Sequence, residues 1–216
     1  MQESKLIVSR TARYYTQGTP SKQIKHLWIV CHGYGQLARY FLRQFSVLEN
    51  KDTLVVAPEA LSRFYLEGFS GRVGSTWMTK EDRLSEIEDQ ANYLNLLLKE
   101  QLRQLPDDVK VTVLGFSQGG AAVSRWLASG QVPCHRLILW AASFPEDITF
   151  DANSHAFRDV PVSVVYGTQD AFITPETLQK QQQLMQKLGI IPSTYTFEGG
   201  HTINKEMLSR LNKQMI

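Results

Sequence analysis

Apolar residues in this chain gather into short runs, separated by longer stretches in which they recur every three or four positions. Runs of buried-strand type occupy residues 27–31, 54–57, 109–114, 137–141, 162–166 and 194–197, most of them bounded by Gly or Pro. Two shorter runs, 6–8 and 13–16, predict either a hairpin or an antiparallel sheet edge. Helical patterns alternate with the strands at 37–48, 80–105, 118–129, 175–188 and from 203 to the C-terminus. Within 80–105, Leu84, Ile87, Ala91, Leu94, Leu98 and Leu102 share one face, and Thr79 with Asp82 reads as a capping box. Thr174-Pro175-Glu176 opens another helix, with Pro in the first turn where its missing N–H is harmless. This alternation predicts an α/β fold: a mostly parallel sheet, right-handed crossovers and helices on both faces. Segments 61–78 and 143–158 fall outside it and are long enough to be functional loops rather than connectors.

Composition narrows the field. With 216 residues, 43% of them hydrophobic, the chain fits a single domain spanning 1–216 with a substantial core and no internal repeat. The 23 Lys and Arg nearly balance the 21 Asp and Glu. A net charge of +2 gives no electrostatic case for nucleic acid or an anionic membrane, so a small-molecule or peptide-borne substrate is expected. The N-terminus lacks a continuous apolar stretch of signal-peptide length, and no segment approaches a membrane span. A soluble, cytoplasmic protein without integral membrane association is the expectation; the oligomeric state is not written in the sequence. Cys31 and Cys134 stand apart, with no C-x-x-C and no ligand-like His spacing, so no metal is expected, and Cys31 reads as a buried thiol.

The chemistry gathers around Gly115-Phe116-Ser117-Gln118-Gly119, which follows one apolar run and precedes the small residues Gly120-Ala121-Ala122. Strand, sharp turn and helix would hold Ser117 in a strained backbone with its hydroxyl exposed, and Gly at both second neighbours removes colliding side chains. A serine nucleophile needs a neutral imidazole as base and a carboxylate to fix the imidazole tautomer. In the nucleophile-elbow arrangement acid and base follow later strands, in that order. Asp170 follows the 162–166 run, and His201 follows the 194–197 run behind Gly199-Gly200. Asp147, Asp151 and Asp159 precede the relevant strand, and Glu198 is very close in sequence to His201; His26, His135 and His155 read as surface or structural residues. An oxyanion hole needs two N–H donors: Gln118, at the start of its helix, and Tyr34, in the loop Cys31-His32-Gly33-Tyr34-Gly35-Gln36, with His32 as a scaffold residue. Phe64, Tyr65, Phe69, Trp77, Met78, Phe144 and Phe172 are candidates for an apolar acyl pocket.

With H-G-Y-G, G-F-S-Q-G-G, G-T-Q-D and G-G-H in this order, the chain from about Leu27 to His201 resembles the phospholipase/carboxylesterase family of α/β-hydrolases, which includes the acyl-protein thioesterases. Gln after the nucleophile is the most specific part of the match. The resemblance implies a capless α/β-hydrolase fold, cleavage of carboxylic esters or thioesters through an acyl-enzyme, no cofactor, the triad Ser117, Asp170 and His201, and oxyanion amides at Tyr34 and Gln118. The family's S-W-F-D-like motif has a partial echo in Ser75-Thr76-Trp77-Met78, which adds Trp77 and Met78, with Phe172, as substrate-binding candidates. Where members often read H-G-L-G-D, this chain carries Tyr34 and Gln36. A small-amide hydrolase or peptidase on the same scaffold, and a non-catalytic ligand-binding module, remain alternatives.

Overall fold

The computed structural model describes residues 1–129, 132–148, 156–157 and 159–214. Seven strands form one sheet: β1 (Tyr14–Gln17), β2 (His26–Cys31), β3 (Thr53–Pro58), β6 (Lys110–Phe116), β7 (Arg136–Trp140), β8 (Val162–Gly167) and β9 (Ser193–Phe197). Their spatial order is β1-β3-β2-β6-β7-β8-β9. β1 pairs antiparallel with β3 and every other pairing is parallel. A separate antiparallel hairpin, β4 (Ser62–Glu67) and β5 (Ser70–Thr76), lies between β3 and the next helix in the chain.

Alternate side chains of each central strand feed two cores, which is why these strands read as unbroken apolar runs. Leu27, Ile29, Val111, Val113, Leu137 and Leu139 pack with helices α2 (Arg83–Leu102), α3 (Gln118–Ala128) and α4 (Pro175–Lys187). Trp28, Val30, Leu114, Ile138 and Trp140 pack on the other face, with α1 (Ala38–Phe41), the 3₁₀ stretch Leu42–Leu48 and α5 (Lys205–Lys213). Cys31 is fully buried, and burial raises its thiol pKa far above the ordinary range.

Several expectations change. Residues 13–16 do build an antiparallel edge, but 6–8 form no strand. Leu6, Ile7 and Val8 are exposed on an arm that is tied down instead by its polar groups, Lys5 to Asp82 and Ser85, and Arg10 to the Leu61 carbonyl. Residues 61–78 are the hairpin rather than a loop. The capping box at Thr79 is absent: α2 begins at Arg83 after Asp82 in a left-handed conformation, and the Thr79 N–H donates to the Glu86 carboxylate. Thr174 does cap α4, exchanging hydrogen bonds with Thr177. Asp151 and His155 lie outside the described residues.

Candidate active site

The C-terminal ends of β2, β6, β8 and β9 deliver the chemical residues to one edge of the sheet. At the end of β6 the chain turns into α3 through Ser117, whose φ of 52° and ψ of −121° are strained for a non-glycine residue. Two bonds lock the turn: Ser117 N–H to the Trp140 carbonyl and Gly120 N–H to the Ser117 carbonyl, each 2.9 Å. A Cβ on Gly115 would stand 2.5 Å from the Gly119 carbonyl oxygen, and one on Gly119 would stand 2.6 Å from that of His32. Both glycines are therefore required for strand, helix and neighbouring loop to meet.

Asp170 and His201 come together. Asp170, 5% exposed, accepts a hydrogen bond from His201 Nδ1 on Oδ2 at 2.8 Å, and its Oδ1 accepts the Phe172 N–H at 3.0 Å. With the proton on Nδ1, the Nε2 lone pair of a neutral His201 is available as a base. The His201 ring lies between Phe116 and Phe172, with ring centroids 4.9 and 4.8 Å away. Neither Nε2 nor the Ser117 hydroxyl has a hydrogen-bond partner among the described residues. The competing acids lie elsewhere: Asp147 pairs with Arg83 and Arg125, while Asp159 and Glu198 are exposed.

The loop after β2 packs directly against the elbow, since a Cβ on Gly33 would lie 3.2 Å from Ser117 Cβ. Most of its amides are committed. Gly33 N–H donates to Gln36 Oε1 at 2.8 Å, Gly35 N–H to the Ser75 carbonyl at 2.9 Å, and Gln36 N–H to the Gly33 carbonyl at 3.3 Å. Among the described residues nothing accepts the N–H of Tyr34 or of Gln118, the first residue of α3. Two unpaired donors thus flank the serine, one of them at a helix N-terminus where the dipole favours negative charge.

Supporting side chains fix this loop. His32 is fully buried; its Nε2 accepts the Ala60 N–H at 3.1 Å and its Nδ1 donates to the Gly33 carbonyl at 2.7 Å. Burial pushes its pKa down to about 4, so the ring is a neutral scaffold. Trp77 Nε1 donates to the His32 carbonyl at 2.8 Å, and Ser75 Oγ to the Gln36 carbonyl at 2.8 Å. The Gln118 side chain grips the segment after β5, accepting from Trp77 N–H at 3.1 Å and donating to the Met78 carbonyl at 2.9 Å.

The aromatic candidates separate. Trp77, 1% exposed, and Phe144, likewise buried against Phe157, are packing residues rather than walls of an open pocket. Met78 borders a cavity of about 20 Å³ behind Gln118. Phe172, 71% exposed, stands at the mouth beside His201, and Tyr34 stacks on Phe64. Tyr65 and Phe69 are exposed on the hairpin. An open groove of about 640 Å³ runs from Gly35 and Gln36 between α1 and the hairpin, with walls from the apolar Leu37, Tyr40, Phe41, Leu66 and Val73 and from Arg39, Gln44 and Arg72. Only the position of these residues next to the glycine loop could have pointed to it in the sequence. Among the described residues no three His, Cys, Asp or Glu side chains converge as metal ligands, and no helix is long and apolar enough to cross a membrane.

A mostly parallel sheet with helices on both faces and a serine elbow at its C-terminal edge is the α/β-hydrolase fold. The sequence matches the phospholipase/carboxylesterase family over residues 18–215, and the chain belongs to that family, which makes it a hydrolase of carboxylesterase type. Similar solved structures include esterase PE8, with TM-score 0.70, 20% identity and coverage of 96% of this chain and 100% of that one. Acyl-protein thioesterase 2 from Zea mays gives TM-score 0.72 at 18% identity, covering 95% and 98%. The Bacillus cereus carboxylesterase gives 0.68 at 12%, covering 95% of each chain. No curated protein matches the sequence.

Proposed function

We propose that the protein is a serine hydrolase that cleaves small acyl esters or thioesters through an acyl-enzyme, with Ser117 as nucleophile, His201 as general base and acid, and Asp170 as orienting carboxylate. The observation that carries this reading is the buried Asp170 holding His201 Nδ1 at the same sheet edge as the strained Ser117 elbow. Ser117 Oγ attacks the substrate carbonyl while His201 Nε2 takes its proton. Charge building on the carbonyl oxygen meets the Tyr34 and Gln118 amides, each such donor contributing about 2.7–4 kcal/mol of transition-state stabilisation. His201 then protonates the departing alcohol or thiol, and a water activated by the same nitrogen releases the acid. Phe172 and the groove past Gly35 offer apolar surface for the substrate's non-reacting part.

A fluorophosphonate probe is expected to label the protein on Ser117, with labelling abolished in Ser117→Ala and ester turnover reduced by roughly 10³-fold or more. Equal labelling of wild type and variant would overturn the assignment.

A further inference from the structure

The parallel strands, four of which carry the site at their C-terminal ends, begin at the opposite edge of the sheet. There the first residues of five of them, His26, Lys110, Arg136, Val162 and Ser193, border a single cleft of about 470 Å³. Four basic residues line it, His26, Lys110, His135 and Arg136, and no acidic residue does so among the described ones.

Arg136 is the most informative of them. Its side chain is buried, donating from Nη1 to the Leu211 carbonyl at 2.8 Å in the last turn of α5 and from Nη2 to Ser163 Oγ at 3.4 Å. A guanidinium has five N–H donors, and buried cations are ordinarily matched by a carboxylate. Among the described residues no carboxylate pairs with Arg136. His135 Nδ1 accepts the Val111 N–H at 3.1 Å, which places the proton of the neutral ring on Nε2 as a further donor. Burial, and after it the charge of Lys110, lowers the pKa of His135. His26 Nδ1 is buried without a partner among the described residues. Beside this cationic floor, Ile191 and Tyr195 supply an apolar flank.

Lys110 at the start of β6, with His135 and Arg136 at the start of β7, offers donors from two adjacent strands that suit the three oxygens of a phosphate better than the two of a carboxylate. We propose that this cleft binds a phosphomonoester, with its phosphate on Arg136, Lys110 and His135 and its organic body against Ile191 and Tyr195. The cleft lies across the sheet from Ser117, so ligand and ester substrate do not compete for space.

The test is calorimetric titration of the full chain at pH 7 with phenyl phosphate and, separately, with inorganic phosphate, at ionic strength held constant with sodium chloride. Wild type is expected to bind one equivalent of phenyl phosphate saturably, and inorganic phosphate more weakly. Lys110→Glu reverses a charge on an exposed side chain and should weaken both by about tenfold or more while leaving ester turnover unchanged. Arg136→Met should abolish binding; because Arg136 also caps α5, the Lys110→Glu result decides if that variant does not fold. No saturable binding, or equal affinities for wild type and Lys110→Glu, overturns the site. Inorganic phosphate binding as tightly as phenyl phosphate overturns the role given to the apolar flank.

Discussion

His32 is neutral in the folded protein because both ring nitrogens are engaged beneath the 32–36 loop, where a second proton would face the Ala60 N–H. Its folded pKa of about 4 lies below the ordinary histidine value, so the unfolded chain binds the extra proton more readily. The stability this neutral ring confers is therefore intact above about pH 6.5 and drains away as pH falls toward 4, by about 3 kcal/mol. For a chain of this size that corresponds to a fall in Tm of roughly 6–12 °C. Carboxylates titrate in part of the same window, so the comparison that isolates the histidine is with His32→Gln. That variant should be less stable than wild type at pH 7, and calorimetry should show the gap narrowing steadily down to pH 4. A gap independent of pH would mean that His32 is not held neutral by the fold.

The β4–β5 hairpin is the element that holds the proposed oxyanion loop, residues 32–36, from outside the sheet. Its edge exchanges backbone bonds with the loop, Gly35 N–H to the Ser75 carbonyl at 2.9 Å and Ser75 N–H to the Gln36 carbonyl at 3.1 Å. A Cβ on Gly74 would lie 2.7 Å from Gly35 Cα, so Gly74→Ala must push hairpin and loop apart. Moving the Tyr34 amide while leaving Ser117 and His201 in place should lower kcat by about tenfold or more with little change in KM, at a stability cost of about 1–3 kcal/mol. Steady-state kinetics with an unchanged kcat would refute that support. The hairpin also marks where the sequence becomes hard to read. Parallel strands buried on both faces announce themselves as apolar runs, and the elbow, Asp170 and His201 could be found because each follows such a run. β4 and β5 are half exposed and interrupted by Gly71 and Gly74, so their alternation is too weak to distinguish from a loop. Trp77 and Phe144 are pocket candidates in the sequence and packing residues in the fold for a related reason: an aromatic residue in a sequence does not state whether it faces the core or a cleft. The cationic cleft is legible only in three dimensions, because its residues are isolated strand-starts spread from His26 to Arg136.

Across the whole molecule, the layers around the site are tied to one buried carboxylate. Glu59, 1% exposed, accepts from Arg13 in the segment leading into β1, from Arg63 on β4 at 3.4 Å and from the Ala38 N–H at the start of α1 at 3.3 Å. The Arg13 carbonyl takes the Tyr93 hydroxyl of α2 at 3.0 Å, and the neighbouring Ala60 N–H reaches His32. The Arg13 segment, the hairpin and α1 thus meet at one buried carboxylate, and α2 and the 32–36 loop join through its neighbours Arg13 and Ala60. Its partners are unequal: both arginines are partly exposed and can return to water, whereas the carboxylate cannot. Glu59→Ala should therefore cost about 3 kcal/mol, at the lower end of the range for breaking a buried pair. Arg13→Ala strands the carboxylate beside the more distant Arg63 and should cost at least as much, because the penalty is an uncompensated buried charge rather than a lost contact. Removing both partners removes that penalty, so the double variant should be more stable than the sum of the singles implies by about 1 kcal/mol or more in denaturant unfolding. Strict additivity would show that Arg13 and Glu59 act independently and that the layers meet by packing alone.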